Sequence, residues 1–283
     1  MHTLESLISG AAEELRRAGI SDPLREAYSL MAFAIDREQA FLRAHPEFKL
    51  DAAAQDRFIE SVGRRSRREP FQHIVGKQEF YGLSFEVSGD VLVPRPETEG
   101  IVENALRLYS DATDLFFCDI GTGSGCIAVS ILKNHLQARA VASDISLAAV
   151  RTAKRNAGRH GVEKRLFLVA MDGLGGILPE RQFDLIVANP PYVPAADVEG
   201  LQPEVRLFDP LIALTDGANG LSIIRMISQD APAYLKSGGM LLMEIGFSQA
   251  DAVLLFFRNE NWNSVRILTD LQSIPRIVVA RRT

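Results

Sequence analysis

From residue 115 to residue 282 the chain repeats one pattern, a run of six or seven residues dense in apolar side chains followed, in most cases, by a stretch of helical period. The runs are LFFCDI (115–120), ARAVASD (138–144), RLFLVA (165–170), FDLIVA (183–188), MLLMEIG (240–246), SVRILT (264–269) and RIVVARR (276–282). Strands that read as nearly continuous apolar runs are buried on both faces, and helices between them supply the covers. The expected fold is therefore α/β, a doubly wound, Rossmann-like, mostly parallel sheet. Only DLQSIP separates the last two strands, too short for a crossover helix, so the final strand is expected to run antiparallel to its neighbour.

The first quarter of the chain has a different period. Leu4, Leu7, Ile8 and Ala11, then Leu24, Ala27, Tyr28 and Met31, recur at helical spacing, and Asp22 before Pro23 reads as an N-cap with proline in the first turn. Residues 1–75 are expected to form a small domain of three to five helices. Residues 76–94 alternate in the β manner around Gly82 and around Ser88-Gly89-Asp90, which predicts a β-hairpin connector. Residues 95–283 are expected to form the α/β domain. The run RRSRR (64–68) reads as a solvated helix face, with a partner-docking surface as the second reading. The long loop from Pro194 to Pro210, with Asp197, Glu199 and Glu204, reads as a functional rim.

Composition closes off several classes. With 47% apolar residues among 283 the chain can bury a large core, yet no run reaches the ~20 apolar residues of a membrane span. The opening MHTLESLISGAAEE lacks a secretory pattern, so the expected location is the cytoplasm. A net charge of −5 disfavours binding that rests on neutralising many phosphates, and no direct nucleic-acid contact is expected. Cys118 and Cys126 are the only cysteines and have no CxxC or histidine cluster nearby, so both are expected as reduced core thiols with no metal. A monomer is expected.

The segment CDIGTGSGCIAV (118–129) is a strand, a glycine-rich turn and a helix start. Gly121, Gly123 and Gly125 allow a sharp turn and a close approach of backbone to a ligand. A dinucleotide fingerprint would place glycine at 126, where Cys126 stands, which counts against NAD. The pattern DxGxGxG, beginning at Asp119, instead resembles motif I of S-adenosylmethionine (AdoMet) methyltransferases. Asp144 closes the second strand, 21 residues after Gly123, where its carboxylate could accept both ribose hydroxyls of an adenosine. Capping the following helix is its other reading. Asp172 closes the third strand, as an adenine contact or as an ordinary turn aspartate before Gly173.

After the fourth strand comes NPPY (189–192). Proline has no N–H and a fixed φ, so Pro190 and Pro191 make a stiff turn that presents carbonyls, which only accept hydrogen bonds. The Asn189 side chain adds a second acceptor, and two convergent acceptors suit a planar NH2 group. Tyr192 offers a flat apolar face. The pattern is that of a site for an amide or an exocyclic amine.

NPPY after the fourth strand is shared by amino-methyltransferases of adenine in DNA, guanine in RNA and glutamine in proteins. Three further stretches narrow the choice: GKQEFYGLSFEVSGDVLVPRPETE (76–99), NPPYVPAADVEGLQPEVRLFDPLIALTDGANGL (189–221) and MEIGFSQAD (243–251). In order and spacing they resemble the release-factor glutamine methyltransferase (PrmC/HemK) family over nearly the whole chain. The resemblance implies methyl transfer from AdoMet to the side-chain amide nitrogen (N5) of the glutamine in the GGQ motif of class-I peptide-chain release factors. It implies that Gly121, Thr122, Gly123, Ser124, Gly125, Asp144 and Asp172 hold the cofactor beside Asn189. It places the glutamine amide on Asn189 and the Pro190 carbonyl, with Pro191 and Tyr192 completing the substrate site, and gives the N-terminal helices a role in docking the release factor. Gly173 departs from many relatives, which carry an aromatic or bulky residue there. A ribosomal-protein glutamine or a nucleic-acid exocyclic amine is the alternative acceptor.

Overall fold

The computed structural model describes residues 3–283 and divides by internal contacts into two units. One comprises the N-terminal helices through Gly76 together with Gln202–Phe208; the other comprises Lys77–Leu201 and Asp209–Thr283.

The helical unit has five N-terminal helices, α1 (Leu4–Arg17), α2 (Pro23–Ile35), α3 (Gln39–Ala44), α4 (Ala52–Ser66) and α5 (Phe71–Val75). Thr3 caps α1 and Asp51 caps α4 through their side chains, and the apolar stripes meet in a core that includes Leu15, Leu30, Met31 and Phe58. Pro23 opens α2 as expected, but the Asp22 side chain makes no cap hydrogen bond and lies 3.3 Å from Arg25 instead.

RRSRR is not a solvated face. Arg65 is only 6% exposed and its guanidinium lies 2.6 Å from Glu26 and 3.0 Å from Glu204. Arg68 lies 2.7 Å from Glu204 and 2.7 Å from the Gly19 carbonyl, and Arg64 pairs with Glu69. Arg67 alone of the five is exposed. The carboxylates that bury these arginines stand 39 and 139 residues away from Arg65, so local charge patterning could not reveal them. Glu204, read in the sequence as part of a rim, is committed to this cluster.

In the α/β unit, β1 (Lys77–Phe80) and β2 (Leu83–Glu86) pair antiparallel about Tyr81-Gly82, both with positive φ, the geometry of a tight two-residue hairpin. The hairpin is shorter than the alternation suggested. Residues 87–93 form no strand; Val87 and Val91 pack on Ala149, and Ser88 to Val91 is a turn. Phe80 and Phe85 are buried in the α/β core.

A short 3-10 turn, Pro96–Thr98, leads into α6 (Glu99–Leu108). Then follow β3 (Phe116–Ile120), α7 (Cys126–Asn134), β4 (Arg139–Asp144), α8 (Leu147–His160), β5 (Leu166–Ala170) and β6 (Phe183–Ala188). Beyond β6 come a 3-10 turn (Ala195–Gly200) and two short helices, α9 (Pro203–Phe208) and α10 (Leu211–Leu214). The chain closes with α11 (Ser222–Tyr234), β7 (Leu235–Glu244), α12 (Ala250–Phe256), β8 (Trp262–Thr269) and β9 (Pro275–Arg282). Strand order is β5-β4-β3-β6-β7-β9-β8. β3 to β7 are parallel to their neighbours among themselves, and β9 runs antiparallel between β7 and β8. The expected antiparallel last strand is thus present, inserted one place inward. β7 begins five residues earlier than the apolar run, and its register with β6 shifts between Leu235 and Met240, where Gly238 has a positive φ. Both cysteines are buried and free. Among the described residues no helix is long and apolar enough to cross a membrane.

Strand order reverses between β3 and β6, which is where open α/β sheets form a crevice at their carboxyl ends. Ile120 pairs with Ala188, so the glycine loop and NPPY leave adjacent strands at the same level.

Candidate active site

A cavity of about 330 Å³ opens at this switch point, within the range of about 300 to 1,000 Å³ usual for small-molecule sites. Its wall holds Gly121, Thr122, Gly123 and Ser124 from the glycine loop, Asp144 and Asp172 from the ends of β4 and β5, and Asn189, Pro190 and Pro191 from the turn after β6.

The glycine loop is a cradle. Gly121 (φ +70°) and Gly123 (φ +54°) have left-handed backbone that disfavours a side chain, and a Cβ at either would project into open space. Gly125 serves packing instead. A Cβ there would stand 3.1 Å from the Cβ of Ala153, so this glycine lets α7 and α8 approach closely and does not line the cavity. The loop is anchored from beneath by Asp119, fully buried, whose Oδ2 accepts the Thr122 hydroxyl at 2.7 Å. Burial pushes the Asp119 carboxyl up to about 7, against the pull of its hydrogen bonds from Thr122 and Ala128.

Asp144 accepts the Gly123 N–H on Oδ2 and the Ser146 N–H on Oδ1, each at 2.9 Å. Ser146, not Asp144, is the N-cap of α8. A carboxylate has about four acceptor sites, so each oxygen retains capacity for a ribose hydroxyl. Burial raises the Asp144 pKa against those two hydrogen bonds. Asp172 is exposed at the cavity edge. The space left by Gly173 is met by Met226 of α11, whose Cε would lie 3.2 Å from a Cβ there.

At NPPY the Asn189 Nδ2 donates to Thr98 Oγ1 at 3.0 Å, and the Thr98 hydroxyl donates to Glu244 Oε2 at 2.7 Å. The Tyr192 hydroxyl donates to the other oxygen, Oε1, at 3.0 Å. Burial raises the Glu244 carboxyl above the usual carboxylate range, and these hydroxyls and the charge of Arg276 oppose that rise. Tyr192 is thereby packed, partly buried, against the core that includes Met243 and Ile245. Its carbonyl accepts from Gln249 Nε2 at 2.9 Å, and Gln249 also bonds the Gly220 carbonyl and the Gly246 N–H. The turn is therefore fixed at both ends.

Thr98, Glu244, Gln249, Arg95 and Asp216 escaped the sequence reading as individual site residues. Arg95 lines the cavity and pairs with buried Asp209 at 2.7 Å. Asp216 also lines it and accepts the Ala218, Gly220 and Ser222 N–H groups; burial pushes its carboxyl up, but those donors bring it down to about 2. Thr98 and Glu244 lie inside the stretches that carried the family resemblance, RPETE and MEIG, but nothing in their spacing joins them to Asn189.

The cavity thus offers a backbone cradle and a carboxylate suited to an adenosine-type cofactor, next to an amide acceptor on a rigid turn. The PrmC N-terminal domain family matches residues 6–76, and the Methyltransferase small domain family matches residues 107–204. A release factor glutamine methyltransferase of Koribacter versatilis is 40% identical over 99% of this chain and 99% of its own. One from Cereibacter sphaeroides is 42% identical over 97% of this chain and 96% of its own. Among solved structures, the hMettl16 catalytic domain in complex with the MAT2A 3'UTR hairpin 6 superposes with a TM-score of 0.59 at 16% identity, over 78% of this chain and 81% of that one, a likeness of fold. At such identity over such length, the chain belongs to the release factor glutamine methyltransferase family.

Proposed function

We propose that this protein transfers a methyl group from S-adenosyl-L-methionine to the side-chain amide nitrogen of the GGQ glutamine of a class-I peptide-chain release factor. The observation that carries this reading is the junction of the glycine cradle and Asp144 with Asn189 in one cavity, in a chain at least 40% identical over nearly its full length to two enzymes named for that activity.

The cofactor, when bound, supplies an electrophilic methyl on a sulfonium. Gly121 and Gly123 would admit it close to the backbone, Asp144 would accept its ribose hydroxyls, and Asp172 would accept from its adenine amine. The amide nitrogen of glutamine is a poor nucleophile because its lone pair is delocalised. Asn189 Oδ1 and the Pro190 carbonyl accept its two N–H groups, which orients the lone pair and stabilises the positive charge that grows on nitrogen during alkylation. The alkylated nitrogen is acidic and its proton leaves to water, so no strong base is required. The N-terminal helical unit serves to dock the release factor.

Incubation with labelled S-adenosyl-L-methionine and purified release factor, followed by mass spectrometry of the GGQ peptide, tests the proposal. The label is expected on that glutamine side chain. A bound cofactor with no label on the factor would overturn it.

A further inference from the structure

A primary amide is nearly symmetric in shape. Its oxygen and its NH2 exchange places by a half-turn, and only the hydrogen-bonding character of its neighbours decides which end faces where. For a site that must accept N–H bonds from a substrate amide, that choice decides whether the site works.

With Glu244 ionised, the neighbours of Asn189 leave no choice. A carboxylate is an acceptor only, and Glu244, 1% exposed, spends its two oxygens on the hydroxyls of Thr98 and Tyr192 at 2.7 and 3.0 Å. Thr98, 2% exposed, has a single hydroxyl hydrogen, and Glu244 takes it. Towards Asn189, Thr98 can therefore only accept, and the Nδ2 at 3.0 Å is the end that must meet it. Oδ1 is left for the substrate.

We propose that Thr98 and Glu244 are positioning residues that lock the polarity of the Asn189 amide, and so restrict the acceptor to a side chain presenting NH2 rather than a carboxylate. The proposal rests on the reading of glutamine as acceptor and adds how glutamine is told from glutamate. A glutamate in the same place would set its oxygens against Asn189 Oδ1 and the neighbouring carbonyl, with no hydrogen between them. Buried acceptors left facing an acceptor are the situation in which a polar site discriminates most strongly. Thr98→Val keeps the shape but removes both the donor and the acceptor, so the amide is free to turn. Glu244→Gln places an NH2 at the head of the relay, which permits the reversed polarity. Thr98→Ser retains the hydroxyl.

The test uses the full-length protein, with calorimetry of S-adenosyl-L-methionine as the check on folding and cofactor binding. Single-turnover methylation of a release factor is measured, together with competition by the same factor carrying glutamate in place of the acceptor glutamine. In Thr98→Val and Glu244→Gln the rate is expected to fall roughly 10 to 100-fold. The preference for the glutamine form over the glutamate form is expected to contract by about tenfold or more. Thr98→Ser should stay close to the unmutated protein on both counts. A structural role would depress the rate without changing that preference, so a variant that binds cofactor and keeps the full preference overturns the proposal. In the unmutated protein, side-chain amide NMR assigned against Asn189→Ala should show one Asn189 N–H protected from exchange with solvent, and equal exchange of both overturns the proposal without recourse to any relay variant. Failure of the unmutated protein to methylate any release factor would instead overturn the functional reading, and the NMR result would stand apart from it.

Discussion

Asp144, the last residue of β4, accepts the backbone N–H of Gly123 at 2.9 Å, so the acid that closes one strand also fixes the centre of the loop that follows its neighbour. Replacing Asp144 with Ala removes an acceptor of the ribose and a tether of the cradle together. Cofactor affinity measured by calorimetry should weaken by about 1.5 to 3 kcal/mol, the scale of hydrogen bonds to a charged group. Unchanged affinity in a folded variant would remove Asp144 from the site.

Asp119 predicts a pH signature. Burial raises its carboxyl to about 7 in the folded protein, from an ordinary value of 3.8. A group whose folded pKa is raised contributes stability that is complete below its unfolded pKa and is lost as pH rises through the folded one. Thermal unfolding of the unmutated protein and Asp119→Asn should therefore diverge between about pH 4 and about pH 7, with the unmutated protein losing ground as pH rises. Parallel curves across that window would show that Asp119 does not titrate there.

The arginine cluster separates burial from charge count. Arg65→Ala leaves Glu26 and Glu204 without their shared cation and should destabilise the helical unit by about 3 kcal/mol, the scale for breaking a buried ion pair. Arg67→Ala, at an exposed position two residues on, should stay within about 0.5 kcal/mol. Equal effects in thermal unfolding would restore the solvated-face reading of this run.

What was legible in the sequence follows from the range over which each signal acts. Strand runs, the glycine loop, the acids at strand ends and the proline turn are local patterns, and topology then brings them to one crevice because Ile120 and Ala188 are paired. Thr98 and Glu244 were hidden because their role depends on contacts across 91 and 146 residues of sequence. Gly125 and Tyr192 show the converse: their motifs were plain, but the close approach of Gly125 to Ala153 and the Tyr192 hydroxyl bond to Glu244 are long-range contacts that no local pattern reveals.

Gly220 packs tightly against the NPPY turn. A Cβ on it would stand 2.1 Å from the Tyr192 carbonyl oxygen, and its φ of +75° is unfavourable for alanine. Gly220→Ala should cost about 1 to 3 kcal/mol of stability. Methyl transfer should fall by about tenfold or more, since small displacements of a positioning turn are costly, while cofactor affinity changes little. Equal loss of both functions would mean that the turn and the cradle do not move independently.

The most direct test of the account is single-turnover methylation of the GGQ glutamine by Asn189→Ala, with cofactor affinity measured on the same preparation. The Ala variant loses the one side-chain acceptor of the turn where positive charge develops. By analogy with loss of a single preorganised oxyanion donor, its rate should fall by roughly 10² to 10³ while S-adenosyl-L-methionine binds nearly as before. A rate within a factor of about three of the unmutated protein would contradict the claim that Asn189 and the Pro190 carbonyl activate the amide by accepting its two hydrogens.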